Sequence, residues 1–345
     1  MSFRLLPYEL ALRSPMATSH AIVADRQGAL VRIDEQGTVG WGDLCPMPGW
    51  SAHDYETLRD HVDLAGVRLD GDLVGDVLDS LAAVPEARAA VAGAAVDVLA
   101  QEAGVSLAAH LAADPLDRVS VNATIGAADV STALTNVYLA IASGIDTLKL
   151  KVAHRRLEED LALVEAARRA VGDDVELRLD ANGGWRADEA LEILERLAPF
   201  DIAVCEEPTG GIEAIAAIGA ESPIPVAVDE SARTVDDLRR AIATATIGYV
   251  VIKPQALGGP DLAMQAVVAA QAAGVTPIIT SMIDSAVGVA HAVHVAAASG
   301  VTTAHGLATS ALLASDVAAP LPVEDGAILV PSIPGLGVRP SAAAG

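Results

Sequence analysis

Lysine is nearly missing from this chain: of 345 residues only Lys149, Lys151 and Lys253 carry an ammonium group. Cysteine is scarcer still, and Cys45 and Cys205 can form one bridge at most, which excludes a disulfide framework. Basic charge as a whole is sparse, with 22 basic residues against 46 acidic ones and a net charge of −24. Such a chain repels phosphate backbones and offers no basic patch, so nucleic acid is excluded as a partner. No apolar run approaches the roughly 18 residues of a membrane span, and the opening MSFRLLPYELALRSP lacks the basic-then-apolar order of a secretion signal. The expectation is a soluble, cytoplasmic protein with no membrane partner. Nineteen of the 22 basic residues are arginine, a bias that suits a high-salt cytoplasm and that GC-rich coding also produces.

What is present in quantity is apolar residue, 52% of the chain, enough for a large core. The length accommodates one barrel-sized domain and a smaller companion. From residue 119 onward, short strand-like runs begin at 119, 147, 175, 203, 225, 249, 277 and 302, in steps of 22 to 28 residues. Each step is the length of one strand, one loop and one helix. Between them lie segments such as LEEDLALVEAARRAVG at 157–172, with apolar residues at helical spacing and a terminal glycine. Eight such units predict an α/β fold, a (β/α)7β barrel like that of triose isomerases; the same alternation also fits a doubly wound open sheet.

Before residue 118 the pattern changes. The run 21–43 reads as a meander turning at glycines, followed by helical stretches at 54–65 and 85–112. The expected organisation is therefore an N-terminal α+β capping domain over 1–117, completed by the Pro- and Gly-rich tail 318–345, and a catalytic barrel over 118–317.

All three lysines lie in apolar, β-branched runs, TLKLKV at 147–152 and YVVIKP at 249–254, where burial penalises charge unless chemistry needs it. Between these runs, Asp180, Glu206 and Asp229 close three successive strand-like segments, 26 and 23 residues apart. In a barrel such ends converge on one mouth. One acid after a strand often only caps the next helix. Three, with no Cys/His cluster beside them, suit a hard cation, Mg2+ with Mn2+ as the alternative, better than zinc. Lys149 and Lys151 are two apart, so both face the barrel mouth while Leu148 and Leu150 face the helices. Lys253 lies across the ring. A cation between two ammonium flanks can hold a substrate carboxylate while a lysine removes the neighbouring α-proton, and the cation with partial burial should lower that lysine's pKa. The implied partner is a small carboxylate; the sequence carries no signal of oligomeric state.

The ordered set KLK, RLDAN, CEEP, VDES and VIKP resembles the enolase superfamily, in its muconate-lactonizing-enzyme-like subgroup, and within it most closely the o-succinylbenzoate synthases. The resemblance covers nearly the whole chain, including GWGDLCPMPGW at 40–50, the stretch 86–111, HGLATSALLASDV at 305–317 and PGLGV at 334–338. It implies that Lys151 is the general base, that Asp180, Glu206 and Asp229 bind Mg2+, and that Lys253 stabilises an enediolate from the other face. Asn182, Glu207 and Glu230 would orient ligands or lysines, and Lys149 and Arg178, two before the first ligand, are counted with them as supporting residues. The implied reaction is a hydro-lyase step of menaquinone biosynthesis, dehydration of 2-succinyl-6-hydroxy-2,4-cyclohexadiene-1-carboxylate to 2-succinylbenzoate.

Proline after the second lysine favours the synthases over racemases on the same scaffold. TSMIDSAVG at 280–288 departs from the synthase pattern, with Asp284 in place of an expected glutamate. Ser281, Met282 and Asp284 are read as substrate contacts. An acid in that strand also keeps N-acylamino acid racemase and dipeptide epimerase open, and a Schiff-base aldolase is the distant alternative. Trp50 is a candidate lid, His291 and His294 read as a partly exposed helix face, His305 as a packed histidine, and Cys205 as packing.

Overall fold

The computed structural model describes residues 2–17, 22–69, 73–126 and 129–341. Its first part is an antiparallel sheet of β1 (Ser2–Ala17), β2 (Ile22–Glu35) and β3 (Thr38–Leu44), in that order, so that β1 is an edge strand. Pro7 is tolerated there because an edge need not donate every N–H. This strand escapes the sequence reading, which begins the meander at residue 21. Helices α1 (Tyr55–Arg68), α2 (Val74–Ser80), α3 (Pro85–Glu102) and α4 (Leu107–Leu111) follow. Helix α3 lies so close on β3 that a Cβ at Gly42 would stand 1.8 Å from the carbonyl oxygen of Ala90. Only glycine permits that approach. The contact seals a core of Val31, Ile33, Leu44, Leu58, Val62 and Val91.

After β4 (Arg118–Ser120), a parallel sheet is built from β5 (Ala123–Ile125), β6 (Thr147–Lys151), β7 (Glu176–Asp180), β8 (Ile202–Glu206), β9 (Val226–Val228), β10 (Tyr249–Ile252) and β11 (Thr276–Ile279), each bonded to the next. Between them run α5 (Val130–Ala142), α6 (Leu157–Val171), α7 (Ala190–Leu197), α8 (Ile212–Gly219), α9 (Val235–Ala243), the single turn α10 (Pro254–Leu257) and α11 (Pro260–Ala272). The eighth run, at 302, does not become a regular strand. It contributes two residues: His305 bridges Val121 and Gly306 bridges Thr280, both in parallel sense. The His305 N–H donates to Ser120 at 2.8 Å and the Gly306 N–H to Ile279 at 2.9 Å. Those bonds join the two edges of the sheet, and the fold is an α/β barrel rather than an open sheet.

Helix α12 (Ala286–Ser299) is buried along its whole length, between the barrel and the N-terminal part. The expectation of a partly exposed histidine face is therefore corrected. His291 donates from Nε2 to Trp41 O (2.8 Å), while His294 accepts from the Ala108 N–H at Nδ1 (3.1 Å) and donates from Nε2 to the Leu336 carbonyl (2.9 Å). Burial pushes both rings down to about 4, so they are neutral at pH 7. The tail divides: β12 (Val323–Glu324) and β13 (Ala327–Leu329) pair with β4, while Leu336 and Val338 pack with Leu107 against α12. Among the described residues no helix is long and apolar enough to cross a membrane.

Candidate active site

Strand alternation sets the site. On β6, Leu148 and Leu150 are fully buried among helix side chains, and Lys149 and Lys151 point into the barrel. Register then puts Lys151 opposite Asp180, and Asp180 opposite Glu206, at one height. Lys151 Nζ stands 2.6 Å from Asp180 Oδ2 and 2.9 Å from Asn182 Oδ1. Lys149 Nζ lies 2.9 Å from Asp180 Oδ2 and 3.0 Å from Glu206 Oε1. On the far side Lys253, which precedes α10, donates to both oxygens of Asp229, the longer contact being 2.5 Å. The three lysines and three carboxylates of the sequence reading are therefore gathered in one place.

Turns after the strands hold the supporting groups. Asn182 and Glu207 both adopt left-handed backbone, φ 44° and 43°, an uncommon conformation for residues with a side chain. In that pose the Asn182 amide accepts from Lys151 and donates to Glu230 Oε1 at 2.8 Å, which fixes its orientation. Glu207 accepts from the Asp229 backbone N–H at 2.8 Å and from the Ser231 hydroxyl, bracing the strand end that carries Asp229. Burial pushes Glu207 up to about 8, so it is largely protonated at pH 7.

Charge in the cluster is unevenly shared. Burial alone would lower the Lys149 ammonium, but Asp180 and Glu206 outweigh it and hold Lys149 well above its ordinary range. Asp180, buried yet touched by Lys149 and Lys151, is held well below the carboxylate range. Glu206 goes the other way, up to about 7, because burial and the neighbouring Asp180 leave its charge poorly compensated. The two directions agree once Lys149 is seen as serving Asp180 first. Asp229 is likewise raised by burial, with Lys253 opposing.

Among the described residues no three His, Cys, Asp or Glu side chains stand close enough to hold a metal ion as they are. Ammonium groups occupy the places between the carboxylates instead. The donor set nevertheless fits a hard divalent cation: Asp180, Glu206 and Asp229 are 1%, 4% and 5% exposed, all offer carboxylate oxygen, and Glu206 is left short of positive charge.

Other expected residues lie elsewhere. Arg178 does not reach the Asp180 carboxylate; it crosses the barrel to Ala304 O (2.7 Å) and Thr303 Oγ1 (2.6 Å), with Glu176 at its Nε, and so ties β7 to the closing segment. Ser281 bonds Thr309 at 2.6 Å and is half-buried. Met282 and Asp284 are buried, 3% and 2% exposed; the turn after β11 folds Asp284 back toward Asp43 and the Met282 N–H, and it makes no hydrogen bond to a lysine. Cys205 is packed in the barrel core, and both cysteines are free. His154, which the sequence reading passed over, lies 3.4 Å from Asn182 Oδ1 at the rim; its nearness to KLK was the only signal.

Trp50 does reach the site. Its ring lies 3.8 Å from Lys253 Nζ and 4.6 Å from the Arg233 guanidinium carbon, and Arg233 donates to its carbonyl at 2.9 Å. Trp50→Leu is expected to cost about 0.5–2 kcal/mol of stability, the range of cation–π contacts. In a cycle with Lys253→Met, followed by urea unfolding, the loss should shrink when the ammonium is already gone. Equal losses in both backgrounds would mean that the ring does not sense Lys253.

Known proteins resemble this chain in sequence and in fold. The family profile described as Enolase C-terminal domain-like matches residues 133–344. The o-succinylbenzoate synthase of Thermobifida fusca is 35% identical over 204 residues, 58% of this chain and 62% of the relative, so the chain spans less than two thirds of that protein. The L-Ala-D/L-Glu epimerase of Bacillus subtilis is 28% identical over 95% of this chain and 93% of its own. That epimerase's substrate-liganded structure superposes with a TM-score of 0.91 at 26% identity, covering 99% of this chain and 100% of the other. A dipeptide epimerase of Enterococcus faecalis, complexed with Mg and L-Leu-L-Tyr, shares the fold at a TM-score of 0.90 and 24% identity, covering 98% of this chain and 99% of that one.

Proposed function

This chain belongs to the enolase superfamily, in its muconate-lactonizing-enzyme-like subgroup, and from that membership we propose that it is an o-succinylbenzoate synthase. The substrate would be 2-succinyl-6-hydroxy-2,4-cyclohexadiene-1-carboxylate, and the products 2-succinylbenzoate and water. Asp180, Glu206 and Asp229 would hold Mg2+, which when bound supplies positive charge to the substrate carboxylate.

Lys151 is the base. Its Nζ, held by Asp180 and Asn182, takes the proton α to the carboxylate in its neutral form and then delivers that proton to the departing hydroxyl on the same face. Lys253 acts as a fixed cation on the opposite face. Asn182 and Glu207 keep Lys151 and the Asp229 strand end in register, and Trp50 covers Lys253 and excludes water from it.

The observation that carries the choice is the asymmetry of the two lysines. Lys253 donates to both oxygens of Asp229 and lies against the Trp50 ring, a contact that Lys151 lacks and that suits an ammonium held in one place. A dehydration asks only that of it, whereas a racemisation requires both lysines to exchange protons. The buried Asp284 also weakens the case for an acid that grips a substrate amino group. The second reading, an epimerase or racemase, draws its support from similarity to the epimerases over nearly the full chain.

The two are separated by assaying the purified protein with the cyclohexadiene substrate and, in D2O, with N-succinyl amino acids and dipeptides. Efficient dehydration is expected, with slow or absent exchange of the α-proton. Rapid exchange in both enantiomers with poor dehydration would reverse the assignment.

A further inference from the structure

Behind Lys253, where α10, α12 and β3 meet, lies a small crevice whose lining includes Asp43, Gln255, Asp284, Gly288 and His291. Three buried polar atoms in this lining make no hydrogen bond to protein: Gln255 Nε2, Asp284 Oδ1 and His291 Nδ1. Their residues are 7%, 2% and 5% exposed, so bulk solvent does not serve them. Leaving one such group unserved costs about 1–3 kcal/mol, and three together call for a common partner.

The chemistry of the three atoms specifies that partner. Gln255 Nε2 can only donate. His291 Nε2 faces the Trp41 carbonyl at 2.8 Å, and a carbonyl only accepts, so that nitrogen carries the ring proton. The ring is neutral, which leaves Nδ1 as a bare acceptor. Burial and Asp43 push the Asp284 carboxyl up to about 7; in its ionised form Oδ1 accepts, its companion Oδ2 being engaged by the Met282 N–H. One donor and two acceptors are the complement of a single water molecule, which has two hydrogens to give and a lone pair to receive with. The space open to a water's centre, about 10 Å3, is the room of one such molecule. A cation fits poorly, because the Gln255 amide hydrogens would face it.

Neighbouring side chains keep the crevice small and defined. Asp43 is already satisfied by the Tyr8 hydroxyl (2.6 Å) and by the Ser285 N–H and hydroxyl (3.1 and 2.9 Å). A Cβ at Gly288 would come within 2.5 Å of Asp43 Oδ2, and one at Gly93 would come within 3.0 Å of the His291 ring. Gly288 thus leaves room in the crevice itself, and Gly93 leaves room for the His291 ring that borders it.

We propose that Gln255, Asp284 and His291 form a binding site for one buried water, which pins the turn carrying Lys253 and Gln255 to the β11 turn and to α12. The site assigns Asp284 a place in the scaffold behind Lys253, and it does not depend on which reaction the barrel performs.

A crystal structure of the full chain at a resolution that orders buried waters, grown in rubidium chloride, tests it directly. A single peak about 2.7–3.2 Å from all three atoms, without rubidium anomalous signal, is expected. An empty crevice, a rubidium peak, or direct bonding of Gln255 to Asp284 would overturn the proposal. Gln255→Met, close in volume but without the donor, should lose the water and speed amide hydrogen exchange in 253–257 by roughly fivefold, the factor of one net hydrogen bond. Asp284→Asn, which keeps an acceptor oxygen, should retain both water and protection. Exchange unchanged in Gln255→Met would count equally against the site.

Discussion

Replacing Lys151 with arginine is expected to lower turnover by about a hundredfold to ten-thousandfold while substrate binding persists. Arginine keeps the positive charge that faces Asp180 and Asn182 but cannot lose a proton near neutral pH, so charge and basicity are separated in one substitution. Lys149 is the only other lysine on the same strand, and it bonds Asp180 and Glu206 rather than Asn182. Steady-state kinetics beside calorimetric binding of the product distinguishes the outcomes. Turnover within about tenfold of the parent would move the base elsewhere, with Lys149 the first alternative. Loss of binding together with turnover would make Lys151 a ligand-holding group instead.

The site was legible in the sequence where local rules determine it. A period of two puts Lys149 and Lys151 on one face, and the ends of parallel strands bring Asp180, Glu206 and Asp229 to one mouth. What was not legible depends on packing between distant segments. Arg178 reads only as a supporting residue from its match to the synthase motif, and nothing local tells that its guanidinium crosses the barrel to residues 303 and 304. Asp284 reads as a substrate contact because the resemblance places an acid in that strand, yet the β11 turn, with Ile283 at φ 58°, directs it into the crevice behind Lys253. His291 and His294 read as a surface pair because three-residue spacing marks a face, but α12 has no exposed face once the N-terminal sheet and the tail cover it. The eighth strand was counted from its composition, whereas only His305 and Gly306 pair, and those two bridges suffice to close the barrel. Trp50 lay between two readings, since nothing in PMPGW says how far that loop reaches; its contact with Lys253 spans about two hundred residues of sequence.

Removing the divalent cation is expected to be as severe as removing the base. With EDTA the protein should fall to background turnover, and Mg2+ or Mn2+ should restore it far better than Zn2+, because three carboxylates with no His or Cys offer hard oxygen alone. Sodium borohydride with substrate should trap nothing, which separates this chemistry from a Schiff-base aldolase. The carboxylates can then be tested singly. Alanine at Asp180, Glu206 or Asp229 would also strand a buried ammonium, Lys149 and Lys151 for the first, Lys149 for the second and Lys253 for the third. Asp→Asn and Glu→Gln keep the size and one oxygen, so they report on ligation with less damage to the barrel. Each should weaken Mg2+ binding by more than the roughly 10–100-fold that loss of an outer-sphere partner costs, with circular dichroism unchanged. Glu206→Gln is the most telling of the three. Burial and Asp180 already push Glu206 up to about 7, so its carboxylate is the one most in need of a cation, and its neutral amide should leave Asp180 and the lysines paired while the metal is lost. Mg2+ affinity unchanged in all three variants would mean that these acids serve only as counterions to the lysines, and the cation site would have to be sought elsewhere.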